Sequence, residues 1–138
     1  MIREIATLIS TLTGWTIGND LQVGHRAQDA PERCRLVSEA GGGESNYYIP
    51  DSMNVNIQIV TRARTYMTAR DDAWVAFEKL HGTAGWNMPN LASGPDYLAE
   101  VIEAIMTPQY LGHDSNGLFE FSTNYIFRVR EGSCVESP

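Results

Sequence analysis

Residues 111–130, LGHDSNGLFEFSTNYIFRVR, constrain the fold more than any other part of the chain. The stretch opens on Asp114-Ser115-Asn116-Gly117, residue types that tolerate or demand turn backbone angles. From Leu118 it then runs to Arg130 without a glycine or proline. Phe119, Phe121, Thr123, Tyr125, Phe127 and Val129 share one face, and Glu120, Ser122, Asn124, Arg128 and Arg130 share the other. A period of two, interrupted only at Leu118 and Ile126, predicts a long half-buried strand. About 13 residues at ~3.3 Å each would span roughly 40 Å. A strand of that length and apolarity has to be central or covered on one face, because a bare one would recruit other chains.

The upstream sequence supplies its neighbours. Ile2 to Leu12 places Ile2, Ile5, Ala6, Leu8, Ile9 and Leu12 at helical spacing, with a stop near Gly14. Asp20 to Gly24 reads as a short extended piece and Ala27 to Glu32 as a loop. Arg33 to Ser38 reads as a strand with Cys34, Leu36 and Val37 toward the core, and Met53 to Val60 alternates as a second. The two are expected to pair across Glu39 to Pro50, whose three consecutive glycines leave the backbone unusually free. Thr65 is the expected N-cap of a helix reaching His81, with Tyr66, Ala69, Ala73, Phe77 and Leu80 as its apolar stripe and Gly82 as its stop. Gly82 to Asp96 is read as a loop whose Trp86, Met88 and Leu91 fold back on the core. Tyr97 to Met106 is assigned as a strand that the turn at 112–117 folds directly onto the long one.

These elements give an α+β fold: one domain over 1–138, with a largely antiparallel or mixed sheet of about five strands and two helices on one of its faces. Within it, 1–14 is an N-terminal helix, 33–130 the core and 131–138 a frayed tail. No apolar run approaches the roughly 20 residues that cross a bilayer, so no membrane contact is expected. The start, MIREIATLIS, mixes acid with base and does not read as a signal peptide. The net charge is −7, with nine Arg and one Lys, which disfavours a nucleic-acid binder that works by neutralising phosphates. Cys34 and Cys134 are too far apart in sequence and context to suggest a disulfide framework, and are expected to be free thiols.

Chemistry has little foothold. His25, His81 and His113 stand apart from one another and from the cysteines, so no metal-ligand spacing arises. Gly41-Gly42-Gly43 lacks the Gly-Lys-Ser/Thr ending of a phosphate loop, and no Gly-x-Ser-x-Gly elbow occurs. Asp71 and Asp72 point about 100° apart on a helix and read as a solvated face rather than an acid/base pair. No catalytic residue, cofactor or metal is assigned. Tyr47 and Tyr48 beside the glycines carry large apolar area with a polar tip, a combination enriched at protein interfaces.

Three stretches in succession, GGGESNYYIPD, FEKLHG and TPQYLGHDSNGLFEFSTNYIFRVR, resemble the small minor capsid or tail-terminator proteins of long-tailed bacteriophages, over roughly Arg33 to Arg130. The resemblance implies a virion protein of the tail and neck, assembled in the bacterial cytoplasm. It implies a homo-hexameric ring at the head-proximal end of the tail tube, between the tube protein and a head-completion or connector protein. DNA would pass through its lumen without specific binding. An acidic chain suits such a lumen, since like charge disfavours retention of DNA. Glu44, Tyr47 and Tyr48 are the leading candidates for subunit or tube contact, and His113 and Asp114 at the turn form a second group. Two alternatives remain: another neck protein, and a small α+β enzyme or ligand-binding module with a cleft near the glycines.

Overall fold

The computed structural model describes residues 2–25, 31–40, 52–91, 95–114 and 116–131. The helices are α1 (Ile2–Thr13) and α2 (Tyr66–Leu80). The strands are β1 (Leu21–Val23), β2 (Cys34–Glu39), β3 (Ser52–Ala63), β4 (Ala84–Met88), β5 (Tyr97–Ala104), β6 (Gln109–His113) and β7 (Phe119–Glu131). They form one sheet in the order β1-β2-β3-β7-β5-β4, with β6 pairing β7 as well. Only β1 and β2 run parallel.

The 13-residue β7 is central, as its alternation predicts. One edge pairs with β3 from Ser52↔Arg130 to Ala63↔Phe119. The other edge is shared: β5 takes its C-terminal half and β6 its N-terminal end. Phe121, Thr123, Tyr125, Phe127 and Val129 are all buried, while Arg128 and Arg130 on the opposite face are exposed. Directly opposite residues of an antiparallel pair share a face, so Ile57 beside Tyr125 and Ile59 beside Thr123 extend the same apolar surface.

Both helices cover that surface. Ile5, Leu8 and Ile9 of α1 and Ala76 and Leu80 of α2 pack into one core with Val37, Ile57, Ile59, Ile102, Tyr125, Phe127 and Val129. Each fully buried large side chain there contributes about 1.5–3 kcal/mol. A second cluster, Ala63, Ala69, Ala73 and Phe121, lies under the start of α2. Thr65 caps that helix as expected, its side-chain oxygen accepting the Thr68 N–H at 3.3 Å. Gly82 ends it with φ +83°, a left-handed value that favours glycine.

Several expectations need correction. The described residues hold seven strands rather than about five. The segment after Gly82 is a strand, β4, and not a loop; its Met88 is buried, but Trp86 is 39% and Leu91 53% exposed, so neither folds into the core. The strand over 97–106 does not turn straight back onto β7, because β6 intervenes, with a register shift between Tyr110 and Gly112. On β2 the residues facing the helices are Arg35 and Val37, not Cys34 and Leu36: Val37 lies opposite Ile59 and Arg35 opposite Thr61. Cys34 is free and buried on the other face. Asp72 is 3% exposed and is no part of a solvated helix face. Expectations for 41–50 and for the tail beyond 131 lie outside the described residues.

Candidate interaction surface

Asp72 and Arg35 are both buried because they compensate each other. Arg33 donates to Asp72 through Nε (3.0 Å) and Nη2 (2.8 Å), and Arg35 Nη2 reaches the same carboxylate at 2.9 Å. Arg35 Nη1 lies 3.4 Å from Asp20, and its guanidinium sits 4.4 Å from the centre of the Trp15 ring. The cluster therefore ties β2 to α2 and to the α1–β1 connection. The same contact with Asp72 raises the already high pKa of Arg33. Sequence reading missed this cluster because its members are scattered from Trp15 to Asp72, the bonded Arg33–Asp72 pair alone being 39 residues apart.

Glu4 is likewise buried and accepts the Leu91 N–H at 2.9 Å. That bond stabilises the carboxylate and draws its pKa below the ordinary value. Burial in the core pushes the Tyr125 phenol well above its usual range. Both groups serve the fold.

Of the residues singled out from sequence, Glu44, Tyr47 and Tyr48 lie outside the described residues. His113 and Asp114 do sit together at the end of β6, His113 exposed and Asp114 half-buried. Asp114 Oδ1 accepts the N–H groups of Asn116 (2.9 Å) and Leu118 (3.0 Å), and its own N–H donates to the Leu118 carbonyl. Its other oxygen stands 3.9 Å from Arg62. The His113 ring meets the Phe119 ring edge-on at 5.2 Å.

The aromatic assembly next to that turn had no sequence signal pointing to a shared site. Tyr66 at the start of α2 packs against Tyr110 of β6 (5.2 Å) and Phe121 of β7 (5.1 Å), and Tyr110 against Phe121 (5.3 Å). Phe119 completes the group, 6.1 Å from Tyr66. The two phenylalanines anchor it while the tyrosines stay partly exposed. Such T-shaped and tilted ring contacts add about 0.5–1.5 kcal/mol per pair beyond area burial.

The outward side of α2 continues the apolar character. Arg70 lies over the Trp74 ring at 5.5 Å, Trp74 meets Phe77 at 5.3 Å, and Phe77 stacks on His81 at 5.0 Å. Arg70, Asp71, Trp74, Val75 and Glu78 line an open groove of about 410 Å³. Among the described residues no three His, Cys, Asp or Glu side chains come together to hold a metal, and no helix is long and apolar enough to cross a membrane. The arrangement leaves aromatic and apolar side chains exposed along α2 and β6.

No curated protein matches the chain. Residues 8–131, however, match the model of a family described as bacteriophage tail terminator proteins. With nearly its whole length matched, this chain belongs to the bacteriophage tail terminator family, components of the virion's tail.

Proposed function

We propose that the protein acts as a ring of identical subunits, six by the resemblance of its sequence, that ends the tail tube and joins it to the head or neck. The observation that carries this reading is the family match over residues 8–131. The role is structural. Its partners are further copies of itself, the tail tube protein and a head-completion or connector protein, with DNA passing through the ring unheld. A terminator works by presenting two unlike surfaces: one complementary to the last ring of the tube, the other unable to repeat the tube's growth surface. An uninterrupted sheet backed by two helices supplies a stiff body on which two such surfaces can be kept apart.

The test combines light scattering over a concentration series with electron microscopy of tail tubes assembled in the absence of the protein. The expected result is a discrete species near six times the 15.3 kDa subunit mass, or subunits that gather at one end of each tube and stop its growth. A protein that remains monomeric and leaves tube ends and tube lengths unchanged would overturn the proposal.

A further inference from the structure

Where α2 gives way to β4, the chain runs beside the end of β5. Gly82 donates its N–H to the Ile102 carbonyl (2.8 Å), and Ile102 donates its own to the Thr83 carbonyl (2.8 Å). In an antiparallel pair the next N–H on that edge belongs to the residue two positions on, Ala104. It donates to a side chain instead, His81 Nδ1 at 3.0 Å. The imidazole thus stands where the ladder would otherwise call for a carbonyl. Its own helix holds it there. His81 closes α2, its N–H donating to the Phe77 carbonyl (2.9 Å), and its ring stacks on the Phe77 ring at 5.0 Å with 15° between the planes.

We infer that His81 is a pH-sensitive latch between the end of α2 and the end of β5, closed while its ring is neutral and released when the ring is protonated. The inference does not depend on the ring of subunits proposed above. An imidazole nitrogen accepts a hydrogen bond only while it carries no proton. With Nδ1 accepting, the ring hydrogen of neutral His81 sits on Nε2, and a second proton goes to Nδ1, where it would face the Ala104 N–H donor to donor. The ring is exposed, so that proton comes directly from solvent. On its own helix it is preceded by Glu78 and Lys79, of opposite sign, and β4 carries no charged residue. On β5 the adjacent charge is Glu103, which lies opposite Ile126 and so projects from the sheet face away from the helices, while Ala104 lies opposite the buried Tyr125. No carboxylate among the described residues pairs with the ring to hold it protonated. The chain leaves β5 held on one side by the bond to His81 and on the other by Ile105, whose N–H donates to the Asn124 carbonyl (2.9 Å). Residues 106–108 that follow belong to no helix or strand. Opening the latch removes one of the two ties and frays this bend, while the ladder between β3 and β7 stays intact.

The test compares the full chain with His81→Asn and His81→Leu. An asparagine places its carbonyl oxygen where Nδ1 stands and does not titrate, whereas leucine offers no acceptor. Nitrogen NMR of protein labelled in its three histidines reads the ring tautomer, His81 being the signal absent from both variants. Amide exchange at Ala104, corrected for the intrinsic effect of pH, reads the latch at about pH 8 and about pH 5, the limits between which an imidazole changes charge. Amides of the β3–β7 ladder and melting by circular dichroism show that each protein is folded. In the wild type the neutral ring is expected to carry its hydrogen on Nε2, and Ala104 to lose about five- to tenfold of its protection on acidification. His81→Asn should keep that protection at both pH values and His81→Leu should lack it at both. A neutral ring with its hydrogen on Nδ1 would overturn the inference, as would equal protection of wild-type Ala104 at the two pH values. So would the same loss on acidification in His81→Asn, since a group other than His81 would then be titrating.

Discussion

Two adjacent aspartates have opposite fates in this protein. Asp71 is exposed, while Asp72 is buried under the guanidinium groups of Arg33 and Arg35. Removing one partner of a buried pair strands the other charge, so Asp72→Asn should cost about 3 kcal/mol in urea unfolding, and Asp71→Asn no more than about 0.5. Sequence could not separate them: a 100° step turns one inward, and the arginines that receive it belong to a different element. Glu4 makes a pH-dependent contribution. Its folded pKa is lowered, so its stabilisation is present above the ordinary carboxylate value of 4.5 and disappears as the pH falls through the lower folded value. The stability gap between wild type and Glu4→Gln should therefore narrow on acidification below about pH 4, as read by melting at a series of pH values. Asp114, by contrast, was legible: an Asp that opens a turn such as Asp114-Ser115-Asn116-Gly117 bonds its own backbone. Its two backbone bonds predict a loss of about 1–2 kcal/mol for Asp114→Ala.

Elements were readable where one period governs a long run. β7 announces itself because 13 residues alternate and one face is buried against both helices. β4 does not, since Ala84-Gly85-Trp86-Asn87-Met88 has no alternation and its first four residues are exposed. Its place as an edge strand comes from pairing with β5, a tertiary fact. β6 hides for a related reason: Gly112, at φ +109°, opens a bulge that breaks the two-residue period. The apolar residues of α2 were recognised, but Tyr66 was placed on the covered side when it is partly exposed, because a helix with apolar residues on two sides has no single stripe to read. The end of that helix gives a backbone test. A Cβ on Gly82 would meet nothing within 4 Å, so Gly82→Ala reports strain at φ +83° alone and should lower stability by about 1 kcal/mol in urea.

At the scale of the molecule, the family was visible in the sequence because three separated motifs occur in the right succession, and the match over 8–131 establishes it. The aromatic group of Tyr66, Tyr110, Phe119 and Phe121 was not visible. It arises where β6 and the flank of α2 come together, and neither stretch is distinctive alone. The central position of β7 has a consequence in time rather than space. Ser52 and Arg130 are neighbours across the sheet although 78 positions separate them, and β5 and β6 both pair with the opposite edge of the same strand. Pairings at such separation form slowly, because a long loop must close before any contact rewards it. A chain cut before residue 119 would hold two unjoined half-sheets, and it should show no cooperative melting transition by circular dichroism. Tyr66 and Tyr110 likewise lack Phe119 and Phe121 beneath them until β7 is in place. During synthesis the subunit therefore completes this group of rings only after its last strand has emerged, so the surface they form is absent from every unfinished chain.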